Sequence, residues 1–188
     1  MIELTMRRLL IHTCCADCLL NAIANLEEKR HISQECEITL LFYNPNIHPR
    51  SEYIERLKAV QKIIPKIAED WNVKLVVPEY SPKQYMGCIK EGSEKYGERC
   101  LKCWEIRLEY SLRYAKDNEI ENITTTLLTS HYQSRDIILK ILKKLNKKYN
   151  INTIEIDECS NKNHSGFYKQ NYCGCCFSLV EKMTNERI

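Results

Sequence analysis

The sequence predicts an α/β fold with a mostly parallel sheet of about five strands, and residues 1–188 read as a single domain. Three observations predict this. Short apolar, β-branched runs alternate with amphipathic helical stretches along the whole chain, the pattern left by strands joined through helical crossovers. The runs are continuous rather than alternating, as in strands buried on both faces. Gly and Pro number only five each, so the chain is neither low-complexity nor rich in linkers.

The elements follow in order. RRLLIHTCC (residues 7–15) reads as a strand ending in a loop, and LLNAIANLEEKR (19–30) as a helix turning from apolar to polar. CEITLLFYNP (36–45) is a buried strand, broken by NIHP. Pro49 suits a first helical turn. In SEYIERLKAVQKIIPKIAEDW the inward stripe is expected at Ile54, Leu57, Val60 (or Ile64), Ile67 and Trp71. Pro65 is expected to kink or interrupt that helix. NVKLVVPEY is a third strand, and residues 81–98 are expected to be irregular. CLKCWEIRLEYSLRYAKDN is a strong amphipathic helix and NITTTLLTS a fourth strand. Ser134 is placed to cap RDIILKILKKLNKKYN, with Ile137, Ile138, Ile141, Leu142 and Leu145 inward. INTIEID is a fifth strand, residues 158–172 are loop-like, and FSLVEKM is a short last helix. Ligands of such sheets sit beyond the carboxyl ends of the strands, so HTCCADC, YNPNIHP and TSHYQ should gather on one edge.

Composition narrows the chemistry. No apolar run approaches the ~20 residues of a membrane helix, and MIELTMRRLLIH is not ordered like a signal peptide, so a cytosolic location is expected. Eleven of 188 residues are cysteine. In a reducing compartment such density points away from structural disulfides and towards metal or redox chemistry. The formal net charge of +3 permits a nucleic-acid partner without demanding one.

The thiols fall into three clusters: Cys14, Cys15 and Cys18; Cys100 and Cys103; Cys173, Cys175 and Cys176. A CxxC spacing in a helix puts both sulfurs on one face, and a helix N-terminus favours the ligating thiolate. Structural zinc closes with four ligands, iron–sulfur clusters take cysteine thiolates, and paired thiols can do redox chemistry; spacing leaves all three open. Cys36 is expected in the core, and Cys88 and Cys159 in loops apart from the constellation. No glycine-rich phosphate loop is present, which argues against ATP use. His12 is either an acid or ligand or a hydrogen-bonded structural residue. Asp17 fits a helix-start charge, and the four lysines of LKKLNKKYN fit a solvated face.

Five ordered motifs then carry a specific resemblance: HTCCADC, YNPNIHPRSEY, RCLKCWEIRL, TTTLLTSHY and YKQNYCGC. In order and rough spacing, from residue 10 to about residue 180, the chain resembles the QueH-type epoxyqueuosine reductases. The resemblance implies a three-layer Rossmann-like fold, related to the adenine nucleotide alpha hydrolases, with the phosphate loop converted to HTCCADC. It implies cobalamin-independent reduction of the epoxide of epoxyqueuosine at the wobble position of tRNA with a GUN anticodon. It further implies a [4Fe–4S] cluster beside a second, mononuclear metal, iron, and an electron donor that the sequence does not name. Carried over, the metal ligands are Cys14, Cys15, Cys18, Cys100, Cys103, Cys173 and Cys175, undivided between the two centres. Tyr172 and His12 are then candidate proton sources, and Asn44, His48 and Gln170 candidate contacts to a splayed-out base. The chain departs from the family pattern at Asp17 (commonly proline), Trp104 (commonly tyrosine) and the additional Cys176. The competing expectation is a zinc-stabilised tRNA-binding or tRNA-thiolating protein of the same fold; a third is a thiol–disulfide oxidoreductase.

Overall fold

Five strands form one sheet in the order β3-β2-β1-β4-β5, every neighbouring pair parallel. They are β1 (Arg8–His12), β2 (Glu37–Leu41), β3 (Asn72–Val76), β4 (Asn122–Thr125) and β5 (Asn152–Thr153). The computed structural model describes residues 8–29, 32, 35–89, 95–157 and 164–185. The three inner strands are largely buried on both faces: Thr124 is fully buried, as are the apolar side chains of Leu9, Leu10, Ile11, Leu40, Leu41 and Ile123. Each such side chain contributes roughly 1.5–3 kcal/mol of burial free energy. That two-sided demand is met by helices. α1 (Ala16–Glu28) packs against α2 (Arg50–Ile67), and α4 (Glu98–Asp117) against α5 (Arg135–Tyr149). The result is the expected Rossmann-like three-layer α/β arrangement. Strand order reverses between β1 and β4, so their carboxyl ends form the topological switch point where such sheets bind ligands.

Several local expectations are corrected. Pro65 does not interrupt α2; it sits in the last turn, where little helix remains to be disturbed. The inward face of α2 is Glu52, Tyr53, Arg56, Ala59, Val60, Ile63 and Ile67, while Ile54 is exposed. Val60, Ile67 and Trp71 are buried as expected, and Leu57 and Ile64 pack against the core; the apolar stripe missed Glu52 and Arg56, two charges that occupy inward positions and neutralise each other. Residues 81–98 are not wholly irregular: Pro82 opens a short helix, α3 (Pro82–Cys88). The fourth and fifth strands are shorter than the apolar runs suggest. β4 stops at Thr125, whose side chain accepts from the Leu127 N–H and turns the chain into a 3₁₀ turn, Thr126–Thr129. Ser134 is the residue before α5 but makes no side-chain cap. α6 (Cys176–Thr184) is the short last helix. Cys36 is buried in the core as expected, and Cys159 lies outside the described residues. Among the described residues, no helix is long and apolar enough to cross a membrane.

Candidate metal centre

The loop after β1 turns directly into α1, with Cys15 as the residue before the helix and Cys18 in its first turn. This brings the sulfurs of Cys14, Cys15 and Cys18, all buried, within 4.8 Å of one another. Cys14 and Cys15 are 3.9 Å apart at sulfur. Thr126, from the turn after β4, accepts from the Cys14 N–H at 3.0 Å and donates to its sulfur at 3.2 Å. The two switch-point loops are thus joined at this thiol. Hydrogen bonds with Cys15 and then Cys18 hold Cys14 well below the ordinary thiol range, and the same bonds raise Cys15 and Cys18. One of the three is therefore favoured as thiolate while its neighbours keep their protons, which a bound cation would displace.

A second thiol group forms beside the first. Cys100 and Cys103 lie in the first turns of α4, and the Cys173–Cys175 loop folds back against them. Cys103, Cys175 and Tyr85 are buried together, with Cys173 packed against them. Cys173 and Cys175 are 3.7 Å apart at sulfur. Cys175 is the residue before α6, its sulfur accepting from the Ser178 N–H at 3.3 Å. The hydrogen bond with Cys173 lowers Cys175 and raises Cys173. Burial pushes the Cys103 thiol up to about 12, and pushes Cys100 up as well. Tyr85, which hydrogen-bonds Cys175, is driven above its ordinary range chiefly by burial. Cys176 is half-buried at the start of α6, and Cys88 closes α3.

Sequence reasoning missed the positive charges that hold this assembly. Arg56, Arg99 and Arg107 are each no more than 2% exposed. Arg56 pairs with Glu52 at 2.7 Å and donates to the Tyr172 and Cys173 carbonyls at 3.1 and 3.3 Å. Gly174, at φ +112°, lies so close over Arg56 that an added Cβ would stand 3.0 Å from both Nη atoms. The His48 N–H donates to the Gly174 carbonyl at 2.7 Å, which completes the clamp on the loop. Arg99 pairs with Glu181 of α6. Arg107 donates to the Cys103 sulfur at 3.8 Å and to Asn44 at 2.7 Å. Its Nε is buried without a partner among the described residues. The one available signal was spacing: Arg99 adjoins Cys100, and Arg107 is one helical turn beyond Cys103.

The expected site residues separate into those at the cavity and those behind it. A cavity of about 250 Å³ is lined by Cys100, Cys173 and Cys175 together with Tyr132, Gln133 and Tyr172, among others. Asn44, His48, His12 and Gln170 are not among its lining residues. Asn44 is buried, its amide donating to the Thr13 carbonyl at 2.9 Å. His48 bonds the Asn46 carbonyl through Nδ1 at 2.8 Å. His12 is fully buried between Thr125 and the Tyr43 carbonyl. Burial, then the charge of Arg107, lowers it to about 3, so it is neutral. The Tyr172 hydroxyl donates to the His48 carbonyl at 2.7 Å. Gln170 is half-buried in the preceding loop.

The donor set fits a metal. Three sulfurs this close, a second thiol group and uncompensated buried cationic charge suit anionic thiolate ligation. Fold and site define a cysteine-rich α/β protein that carries a metal-competent thiol cluster at the switch point, where dinucleotide-binding sheets place a glycine turn. The family model for "Epoxyqueuosine reductase QueH" matches residues 9–181. The chain belongs to that family. It is 30% identical to the epoxyqueuosine reductase QueH of Thermotoga maritima, covering 94% of this chain and 93% of the relative. The protein of that name from Staphylococcus epidermidis is 28% identical, with 93% and 77% covered. That from Helicobacter pylori is 29% identical, with 95% of this chain and 51% of the longer relative covered.

Proposed function

We propose that the protein is a cobalamin-independent epoxyqueuosine reductase, an oxidoreductase acting on tRNA with a GUN anticodon. The epoxide carbon–oxygen bonds break, an alkene forms, and two electrons and two protons carry the oxygen away as water. Family membership supports the reaction. The single observation that carries it to this chain is the pair of adjoining buried thiol groups, one of them opening on the cavity. Arg107 and Tyr132 each lie within electrostatic reach of both groups, and Arg56 reaches Cys15 and Cys14 while donating to the Cys173 carbonyl.

In this reading Cys100, Cys103, Cys173 and Cys175 hold a [4Fe–4S] cluster, which takes four cysteine thiolates. Cys14, Cys15 and Cys18 hold a mononuclear iron. Their three sulfurs, within 4.8 Å of one another, would serve a single metal ion. When bound, the cluster supplies electrons singly and the iron a Lewis acid for the epoxide oxygen. The chain's own residues bind and orient. Tyr132 and His131 offer π faces for a base taken out of its stack. The Trp104 indole donates to Gln133 Oε1 at 2.6 Å. Indole is a donor only, so the Gln133 amide is left presenting its NH₂. Tyr172 is the proton source at the cavity, while His12, Asn44 and His48 hold the loops behind it. Gln170, in the loop just before the lining residues Asn171 and Tyr172, is a candidate contact to the base. The protein works as one α/β domain in the reducing cytoplasm and takes electrons from a donor outside the chain.

Anaerobic purification with iron, sulfide and zinc quantified tests the metals, and incubation with epoxyqueuosine tRNA and a strong reductant tests the reaction. More than about four irons per chain, with queuosine formed, is the expected result, since one cubane holds four. A colourless zinc protein that leaves the epoxide intact favours the zinc-stabilised tRNA-binding alternative and overturns the reading.

A further inference from the structure

Three arginines are buried around the thiols, and they are not equivalent. Arg56 faces the carboxylate of Glu52, and Arg99 that of Glu181. Arg107 has no carboxylate partner among the described residues. Its acceptors are the Cys103 sulfur at 3.8 Å and the neutral Asn44 amide oxygen at 2.7 Å. A guanidinium is always charged, and a buried ion without a counter-ion costs several kcal/mol even after relaxation. Evolving such a residue into the core needs an opposite charge close by. Among the described residues, the candidate in contact is the Cys103 sulfur and what it binds. Arg107 is also tied to the other thiol group, because Asn44 donates to the Thr13 carbonyl at 2.9 Å, one residue before Cys14. One side chain therefore touches the ligands of one centre directly and the loop of the other through a single amide.

We propose that Arg107 is a positioning residue that sets the reduction potential of the centre held by Cys103. Its charge offsets the negative charge of the thiolate centre, and its fork fixes that centre against the Cys14 loop. This rests on the reading that Cys100, Cys103, Cys173 and Cys175 hold a redox-active cluster. Each added electron places one more negative charge beside a fixed cation in a medium of low dielectric. The reduced state gains more than the oxidised state, and the potential rises.

The test compares wild type, Arg107→Gln, Arg107→Lys and Asn44→Ala, each loaded with iron and sulfide under anaerobic conditions. Reductive titration against mediators is followed by visible absorbance and electron paramagnetic resonance. In Arg107→Gln the ratio of reduced to oxidised centre at a fixed potential should fall at least tenfold, a shift of about 59 mV to more negative potential for one electron. Arg107→Lys, which keeps the charge, should recover most of it. Asn44→Ala keeps the charge but frees the guanidinium, and should shift the potential in the same direction by less. Equal potentials in wild type and Arg107→Gln overturn the inference, as does a Lys variant that falls as far as Gln. If Arg107→Gln does not fold or load, Asn44→Ala decides: a shift supports the inference and a wild-type potential overturns it. A wild-type protein that takes up no redox-active cluster overturns the functional reading and this inference together, whereas loaded variants with one common potential overturn this inference alone.

Discussion

Arg56 is the side chain on which the third cysteine cluster depends, and its replacement by methionine has a calculable cost. The perturbation removes a buried charge, 2% exposed, from a carboxylate that is 9% exposed, Glu52. It also removes the donors to the Tyr172 and Cys173 carbonyls. Breaking a buried pair from one side costs about 3–5 kcal/mol, because the remaining ion stays desolvated. For a chain of this size that lowers the melting temperature by roughly 6–20 °C, at about 2–4 °C per kcal/mol. The assay is urea unfolding and thermal melting of reduced, metal-free protein, so that bound metal does not mask the loss. Glu52→Gln with Arg56→Met removes the stranded charge. The double variant should therefore be more stable than the sum of the singles by about 1–3 kcal/mol. A single variant destabilised by less than about 1 kcal/mol, or strict additivity, would refute the view that a desolvated ion pair anchors the loop.

Three other outcomes are expected. Gly174→Ala forces a side chain onto a φ of +112° and against Arg56; it should cost at least about 1–2 kcal/mol and lower iron uptake, measured by melting and metal analysis. Cys18→Ala should lose about one iron per chain and keep about four, the content of one cubane; full iron with normal turnover contradicts the assignment of this thiol. Gln133→Ala should weaken tRNA binding about threefold to tenfold, the worth of one neutral hydrogen bond. Trp104→Phe, which removes only the indole donor to Gln133, should move binding the same way; filter-binding curves that overlay wild type count against an oriented amide.

Much of the scaffold was legible in the chain itself because burial on two faces leaves a strong mark. Continuous apolar runs named the strands, and turn residues after them foretold which loops would meet. The helix faces were less secure where charge is buried. In α2 the inward positions include Glu52 and Arg56, which any apolar-periodicity reading sends to solvent. In β4 and β5 the apolar runs continue past the ladder, because a run reports burial and not hydrogen-bond pairing. Asn44 and His48 were placed correctly at the carboxyl edge. Their hydrogen bonds turn them towards the Cys14 and Gly174 loops, a matter of side-chain direction that composition does not encode.

By itself the sequence determined that the chain folds as a parallel α/β protein and that its thiols fall into clusters. Both follow from local facts: periodicity fixes element type, and cysteine spacing fixes which sulfurs share a turn. Only the tertiary structure decided how the clusters combine. Cys14, Cys15 and Cys18 converge within one loop and the first turn of the helix that follows it, but the joining of Cys100 and Cys103 with Cys173 and Cys175 spans some 70 residues of chain. Arg99 of α4 supports that joining, through its pair with Glu181 and its position over the Phe177 ring of α6. The three buried arginines were beyond sequence reading for the same reason. A charge is recognisable as structural only when the partners that share its desolvation, distant along the chain, are known.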